Sequence, residues 1–208
     1  KAAGKEIGLR TGYPELDGAG VMMPGDLMLL AADAGMGKTA FLLNLLRRFA
    51  EKGVGCALVE FEMSESTIIQ RLVASLANVW ATKLRVRELT DEEQARVDDA
   101  LEVGQRWPVW LLRGPAISVT EMARLVKLHR TQHPFAVLMV DYLQLFPVAA
   151  DPNVSEATVI GNISGQLKRL AYDEQILVIV ISSRNRQTQY KQSDLARLRG
   201  SGQLEFDA

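Results

Sequence analysis

Short apolar runs alternate along the chain with longer segments in which apolar and polar residues are mixed. Five runs are rich in Val, Leu and Ile without polar alternation, which is typical of parallel strands buried on both faces. These runs are Asp26–Ala32, Gly55–Phe61, Val109–Leu112, Phe135–Asp141 and Ile176–Ser182. They predict five strands of a mostly parallel, twisted sheet.

The segments between these runs repeat apolar residues at helical spacing. They are Gly37–Lys52, Glu65–Trp80, Asp91–Arg106, Val119–Gln132 and Ser155–Asp173. Two of them begin with a capping box, Thr90-x-x-Glu93 and Ser118-x-x-Glu121, which marks a helix start. Strands that alternate with helices predict an α/β fold with helices on both faces of the sheet.

The composition narrows the classes of protein to consider. The chain has 208 residues, 48% hydrophobic and 24% charged, which suits one globular domain spanning residues 1–208. The net charge of -1 gives no overall attraction to nucleic acid, so such binding would need a local patch. The single cysteine, Cys56, lies in an apolar run and is expected in the core. No apolar run approaches the ~18 residues of a membrane span, so we expect a cytoplasmic protein without a membrane partner.

The segment between the first strand and the first helix fits a phosphate-binding loop. From Ala32 to Thr39 it follows the pattern Gly/Ala-x-x-x-x-Gly-Lys-Thr. Lys38 brings a positive charge to the β- and γ-phosphates, and the Thr39 hydroxyl can ligate Mg²⁺. The residues predicted to line the phosphates are Ala34, Gly35, Met36, Gly37, Lys38, Thr39 and Ala40. A strand before the loop and a helix after it favour a nucleoside triphosphate site.

Carboxylates stand at the ends of two predicted strands. Asp141 closes an apolar strand, as a second residue of a Mg²⁺ site requires, although an acid there can also be a simple turn residue. Glu60 and Glu62 lie two residues apart, so on a strand both would point to one face. One of them could orient and deprotonate an attacking water, or both could be solvated charges before the next helix. Spacing alone does not choose between Glu60 and Glu62.

A basic segment follows the fifth predicted strand. Residues 184–199 contain five Lys or Arg residues, Arg186 among them, against the single acid Asp194. A basic loop at this edge of the sheet suits contact with a phosphate backbone. A solvated surface loop has the same composition.

Together these residues resemble the RecA-fold motor domain of replicative DnaB-type hexameric helicases. The resemblance extends from Gly8 to Ala208. It is carried by the opening segment Thr11-Gly12-Tyr13-Pro14-Glu15-Leu16-Asp17, the loop Met36-Gly37-Lys38-Thr39-Ala40, and the strings Glu62-Met63-Ser64, Asp141-Tyr142-Leu143-Gln144-Leu145 and Leu198-Arg199-Gly200-Ser201-Gly202. KaiC- and RadA-type ATPases share the fold but fit the Glu62 and Asp141 strings less well.

The resemblance implies roles for further residues. It makes Glu62 the catalytic glutamate, places Lys38 and Arg71 at the phosphates, and assigns Asp141 with Thr39 to the metal. Ser183 falls where a nucleotide-sensing residue is expected. Single-stranded DNA would contact Arg186, Arg199, Gly200 and Gly202. The implied cofactors are ATP and Mg²⁺, and the implied partners are single-stranded DNA, further copies in a homo-hexamer, and a primase or helicase loader.

The chain departs from the family pattern at three places. Ser183 stands where the family has a glutamine that links the γ-phosphate to the DNA loop, and Gly200 stands where it has a glutamate. The sequence ends at Ala208, before the last strands and the arginine finger that the resemblance implies. The primase-binding N-terminal domain is also outside it.

Three hypotheses for the function follow. The first is the ATP-driven motor of a DNA helicase, which translocates on single-stranded DNA during replication. The second is a regulatory or recombination ATPase of the KaiC/RadA kind, without unwinding activity. The third is a scaffold that binds nucleotide only to hold an oligomer together.

Overall fold

The computed structural model describes residues 8–113, 117–141 and 156–183. Its strands are β1 (Leu27–Ala32), β2 (Cys56–Glu60), β3 (Val109–Arg113), β4 (Val137–Asp141) and β5 (Leu177–Ser183). Its helices are α1 (Pro14–Ala19), α2 (Lys38–Glu51), α3 (Glu65–Ala77), α4 (Ala81–Val86), α5 (Asp91–Gly104), α6 (Val119–Gln132) and α7 (Glu156–Glu174). All five predicted strands and all five predicted helices are present; some ends, including both ends of α6, are as predicted, and the others are shifted by one to three residues.

The strands form one five-stranded sheet in the order β1-β5-β4-β2-β3, and every pairing is parallel. All five residues of β2 and of β4 are buried. The prediction of a parallel sheet buried on both faces is therefore confirmed. Because all strands run in one direction, their carboxyl ends share one edge of the sheet, where a ligand of an open α/β sheet binds.

Two hydrophobic clusters cover the two faces of the sheet. Alternate residues along each strand enter opposite clusters, as the period of a strand requires. One cluster joins the sheet to α6 and α7 and includes Met122, Leu167, Leu138 and Val178. The other joins it to α2 and α3 and includes Leu45, Ile68, Leu58 and Met139. The prediction of helices on both faces is confirmed.

Local signals in the sequence explain most of the helix ends. Both predicted capping boxes are formed, at the starts of α5 and α6. Helix α3 ends at Ala77, short of the predicted Trp80, because Asn78 adopts a left-handed conformation with φ of 52°. Helices α1 and α4 were not predicted, since six residues each are too few to display helical periodicity.

Two further expectations concern the interior and the membrane. Cys56 is fully buried in the cluster on the α2 face, as predicted, and burial raises the pKa of its thiol to about 12. Within the described ranges, no helix combines the length and the apolar character that crossing a membrane requires.

Candidate active site

The phosphate-binding loop predicted from the sequence joins β1 to α2. Gly35 and Gly37 have positive φ angles of 80° and 81°, which a residue with a Cβ adopts only with strain. A Cβ built at either glycine meets no other atom within 4 Å, so the loop surface there is open. Helix α2 begins directly after Gly37, and the N–H groups of a first helical turn have no intrahelical acceptors. The loop therefore presents amide donors and the positive end of a helix dipole at the ligand edge of the sheet.

Lys38 ties the end of this loop to its beginning. Its Nζ donates to the carbonyl oxygens of Ala32 and Asp33, over 2.9 Å and 3.0 Å. The side chain is only partly exposed. The ammonium charge is thus fixed at the base of the loop by hydrogen bonds within the chain.

Thr39 and Asp141 meet although 102 residues separate them in the sequence. The Thr39 hydroxyl donates to Oδ2 of Asp141 over 2.6 Å, which joins the start of α2 to the end of β4. Asp141 is 4% exposed. Burial raises the pKa of its carboxyl group; the charge of Glu62 adds to that rise, whereas the Thr39 hydrogen bond and the charges of Lys38 and Arg71 oppose it.

Glu60 ends β2 beside Asp141, since the two residues are partners in the register of the β2–β4 pair. One carboxylate oxygen, Oε1, accepts hydrogen bonds from the backbone N–H groups of Glu62 (2.7 Å) and Met63 (3.0 Å). The other, Oε2, is buried and has no hydrogen-bond partner among the described residues. Burial raises the pKa of Glu60, and the charges of Asp141 and Glu62 act in the same direction, while the two backbone bonds oppose them.

Glu62 lies beyond the end of β2, so the expectation that Glu60 and Glu62 share one face of a strand is wrong. The strand stops because the backbone turns back onto the Glu60 carboxylate at this point. Glu60 is 7% exposed, whereas the Glu62 side chain is open to solvent. Arg71 is also exposed, on α3, and its charge reaches Asp141. The charges of Glu62, Arg71 and Lys38 therefore all act on the same buried carboxylate.

The other predicted residues fall into three groups: the exposed residues of the loop, Ser183, and the DNA-contact residues. Five residues of the loop and first helical turn are exposed at the open surface: Ala34, Gly35, Met36, Gly37 and Ala40. Ser183 ends β5, where its backbone pairs in register with Ala32 at the start of the loop. The predicted DNA-contact residues Arg186, Arg199, Gly200 and Gly202 lie outside the described residues.

The donor set suits a nucleoside triphosphate with a magnesium ion. The loop offers amide N–H groups and an ammonium for phosphates, and Thr39 and Asp141 offer adjacent oxygen ligands. The described residues contain no group of three or more His, Cys, Asp or Glu side chains that could hold a metal ion alone. This agrees with Mg²⁺ chemistry, because proteins usually bind that ion through one or two carboxylates together with substrate phosphates.

One feature of the site was missed in the sequence. Glu60 was considered only as a water-activating base or a solvated charge, but it accepts hydrogen bonds from the backbone after it. The sequence signal for a carboxylate that accepts backbone hydrogen bonds here is weak: an acid at the end of an apolar strand, followed by a turn. Hydrophobic patterning does not reveal such a bond.

Comparison with known proteins identifies the family of the chain. The sequence model of the DnaB-like helicase C terminal domain matches residues 8–208. The chain is 34% identical over 209 residues to the replicative DNA helicase DnaB of Buchnera aphidicola subsp. Baizongia pistaciae, covering 97% of the chain and 45% of that relative. It is 29% identical to the replicative DNA helicase DnaC of Bacillus subtilis, covering 99% and 46%. The chain therefore spans a little less than half the length of these relatives.

Solved structures show the same similarity. A structure of an ATPase domain has a TM-score of 0.88 and 30% sequence identity, over 100% of this chain and 75% of that one. A structure of a DnaB-like replicative helicase and its interactions with primase has a TM-score of 0.86 and 29% identity, over 100% and 53%. The RecA-like α/β fold expected from the sequence is confirmed by these similarities. The chain belongs to the family of DnaB-like helicase C-terminal domains.

Proposed function

We propose that this chain is the ATP-hydrolysing motor domain of a replicative DNA helicase, which moves along single-stranded DNA and unwinds the duplex. The observation that carries the proposal is the 2.6 Å hydrogen bond between Thr39 and Asp141. It joins the phosphate-binding loop to the acid that ends β4, so both groups needed beside a nucleotide-bound metal are already in contact. Family membership supports the same activity.

The loop residues bind and orient the triphosphate. Backbone N–H groups of the first turn of α2 and the Lys38 ammonium face the phosphate oxygens. The Lys38 side chain needs little rearrangement when nucleotide binds, because its Nζ is already hydrogen-bonded to two loop carbonyl oxygens. Thr39 and Asp141 would hold Mg²⁺. When bound, this ion neutralises charge on the β- and γ-phosphate oxygens.

Glu62 acts on the attacking water. Its exposed carboxylate accepts a proton as the water oxygen bonds to the γ-phosphorus, and the bond from that phosphorus to the bridging oxygen breaks. The products are ADP and inorganic phosphate. Arg71, on α3, adds positive charge near the phosphates as their charge shifts.

Unwinding requires DNA contacts and further copies of the chain. We assign single-strand binding to Arg186, Arg199, Gly200 and Gly202, and the working assembly to a homo-hexamer with ATP at subunit interfaces. An arginine finger supplied in trans contributes roughly 10³–10⁵ in rate, so an isolated copy should hydrolyse ATP slowly. A primase or helicase loader would dock on the whole protein, since one of the similar solved structures is of a DnaB-like replicative helicase and its interactions with primase.

The decisive measurement is steady-state ATP hydrolysis with and without oligo-dT. We expect slow hydrolysis by the chain alone and a clear increase with single-stranded DNA. Hydrolysis that DNA leaves unchanged would favour the regulatory ATPase of the KaiC/RadA kind. Nucleotide binding without turnover, in either condition, would favour the scaffold.

A salt titration of oligo-dT binding tests the DNA site. The logarithm of affinity should fall with the logarithm of salt by about 0.7 for each phosphate neutralised on a single strand. Arg199→Ala should lower both the affinity and this slope. Arg106→Ala is the control, because Arg106 is an exposed arginine just after α5 that pairs with Glu102. Equal affinities and slopes for wild type and both variants would move the DNA site elsewhere.

A further inference from the structure

Glu60 is the last residue of β2, and its carboxylate accepts hydrogen bonds from the backbone that follows the strand. Its Oε1 accepts from two consecutive backbone N–H groups, those of Glu62 and Met63. Hydrogen bonds from N–H groups to a carboxylate are stronger than those between neutral partners. Two such bonds to one oxygen fix both peptide groups of the turn that carries Glu62.

Among the described residues, the Glu60 bond is the hydrogen bond that reaches Glu62 itself, while the flanking Phe61 donates its N–H to the Asp141 carbonyl oxygen and Met63 packs against the cluster on the α2 face. No hydrogen bond or ion pair is formed there by its carboxylate, and its side chain is exposed. Its position therefore depends on the path of its backbone. That path is set on one side by the end of β2 and on the other by Ser64, whose side chain caps α3 by accepting from the N–H of Thr67. The Glu60 bonds lie between these two anchors.

The location of Glu60 indicates that it has a specific role. It is 7% exposed, and its Oε2 has no partner among the described residues, which is costly for a carboxylate. Alternation along β2 and β4 puts Glu60 and Asp141 on the same face of the sheet, beside α2. A buried acid next to a second acid costs stability, and the two N–H bonds to Oε1 are the contacts that offset this cost.

We propose that Glu60 is a positioning residue, which fixes the Glu62 and Met63 peptide groups through Oε1 and so holds the Glu62 carboxylate where it meets water. The catalytic part of this statement rests on the function proposed for Glu62. The alternative is that Glu60 itself activates water. The structure argues against it, because Oε1 is already bonded to two N–H groups and the side chain is buried, whereas Glu62 is accessible.

Amide hydrogen exchange, followed by NMR on the whole chain, tests the positioning directly and without ATP. In Glu60→Ala the Glu62 and Met63 amides should exchange roughly 10-fold faster or more, the factor expected when a hydrogen bond to a charged group is lost. Glu60→Gln keeps an acceptor oxygen and should restore most of the protection. Glu88→Ala, an exposed acid in the loop before α5, is the control. Equal exchange in wild type and Glu60→Ala would overturn the proposal.

A double-mutant cycle tests the catalytic consequence. Glu60→Ala should lower kcat by roughly 10–100-fold with little change in nucleotide affinity, since a small displacement of a reacting group is enough for such a loss. In a Glu62→Gln background the same substitution should have almost no further effect, because the group that it positions is gone. Equal losses in both backgrounds would mean that Glu60 acts independently of Glu62, which contradicts the proposal.

The two experiments separate failure of the inference from failure of the proposed function. A wild-type chain that never hydrolyses ATP would refute the motor function, while the exchange measurement would still decide whether Glu60 holds the turn. A loss of kcat in Glu60→Gln that exceeds the loss in Glu62→Gln would make Glu60 the base and overturn the proposal. Thermal melting of each variant shows whether a change in kcat arises from unfolding.

Discussion

The phosphate side and the water side of the site are held in different ways. On the phosphate side, Lys38 is bonded to loop carbonyls, and Thr39 is bonded to the buried carboxylate of Asp141. On the water side, Glu62 and Arg71 are exposed, and Glu62 is positioned through its backbone. Side-chain hydrogen bonds fix the residues of the phosphate side, whereas the residues of the water side are placed by the backbone of a turn and of helix α3.

This difference teaches which part of the proposed reaction the subunit prepares by itself. The groups proposed to bind phosphate and metal are ordered by hydrogen bonds within the chain, so the entropy cost of ordering them belongs to folding and not to nucleotide binding. The groups proposed to act on water, Glu62 and Arg71, are exposed and can still change position when another molecule contacts this edge. Under the proposed function, a single chain would suffice to bind the nucleotide, whereas the rate of hydrolysis would depend on contacts with further copies of the chain.

The largest expected effect comes from the water side. Glu62→Gln should slow hydrolysis by roughly 10²–10⁴, the usual contribution of a general base, and should leave nucleotide affinity nearly unchanged. Single-turnover hydrolysis and calorimetric binding of an ATP analogue measure the two quantities. A large loss of affinity in this variant would remove the distinction between the two sides.

The next effect comes from the phosphate side and has the opposite signature. Lys38→Ala should weaken nucleotide binding by ~2–4 kcal/mol, the range for truncating one partner of a close charge pair. Calorimetry with an ATP analogue checks it, and Lys127→Ala, an exposed lysine on α6, is the control. Unchanged affinity would refute the assignment of the loop to phosphate.

A smaller effect is expected from the bond that closes the phosphate side. Thr39→Val removes the hydroxyl and leaves the buried Asp141 oxygen unpaired, so the free energy of unfolding should fall by ~1–3 kcal/mol. Urea denaturation measures this change. Thr120→Val is a matched control, because Thr120 is an exposed threonine at the same position of α6, two residues after its N-cap. Equal stabilities of the two variants would show that the bond contributes nothing to the fold.

The smallest expected effect concerns the reaction of the Cys56 thiol with a thiol reagent, which should be nearly absent in the native protein. It tests whether β2, which leads to Glu60, stays closed. Cys56 is buried at the start of β2 and its pKa is about 12, so at pH 8 only about 10⁻⁴ of the thiol is ionised. Native protein should react with Ellman's reagent only as fast as it unfolds, because the buried thiol is shielded and almost entirely un-ionised. Protein in urea is the positive control. Rapid reaction of native protein at pH 8 would mean that β2 itself opens.

Much of the fold could be predicted from the sequence because the signals were local. The runs of Val, Leu and Ile gave the five strands, and capping boxes at Thr90 and Ser118 gave two helix starts. The short helices α1 and α4 carry no periodicity that exceeds chance, and they were missed. The strand order also needs contacts between distant segments, which hydrophobic patterning does not specify.

The site divides in the same manner. Spacing predicted the loop that ends in Lys38 and Thr39, because glycines at these positions allow the tight turn and the lysine supplies the charge that a phosphate-binding loop requires. The contact of Thr39 with Asp141 requires the tertiary fold. Glu60 and Glu62 could not be distinguished by spacing, since the period of a strand was assumed to continue where the backbone in fact turns. Their roles remain predictions for the variants described above.

The strand order also has a consequence for how the protein is made. Among the described strands, β1 pairs only with β5, and β5 separates it from β4. The loop after β1 and the acid at the end of β4 are therefore brought together by the last of these strands to leave the ribosome. Contacts so distant in sequence form late, since a long loop must close before they stabilise anything. A chain interrupted before β5 would lack the strand that lies between β1 and β4, so the loop after β1 would not be held beside Asp141.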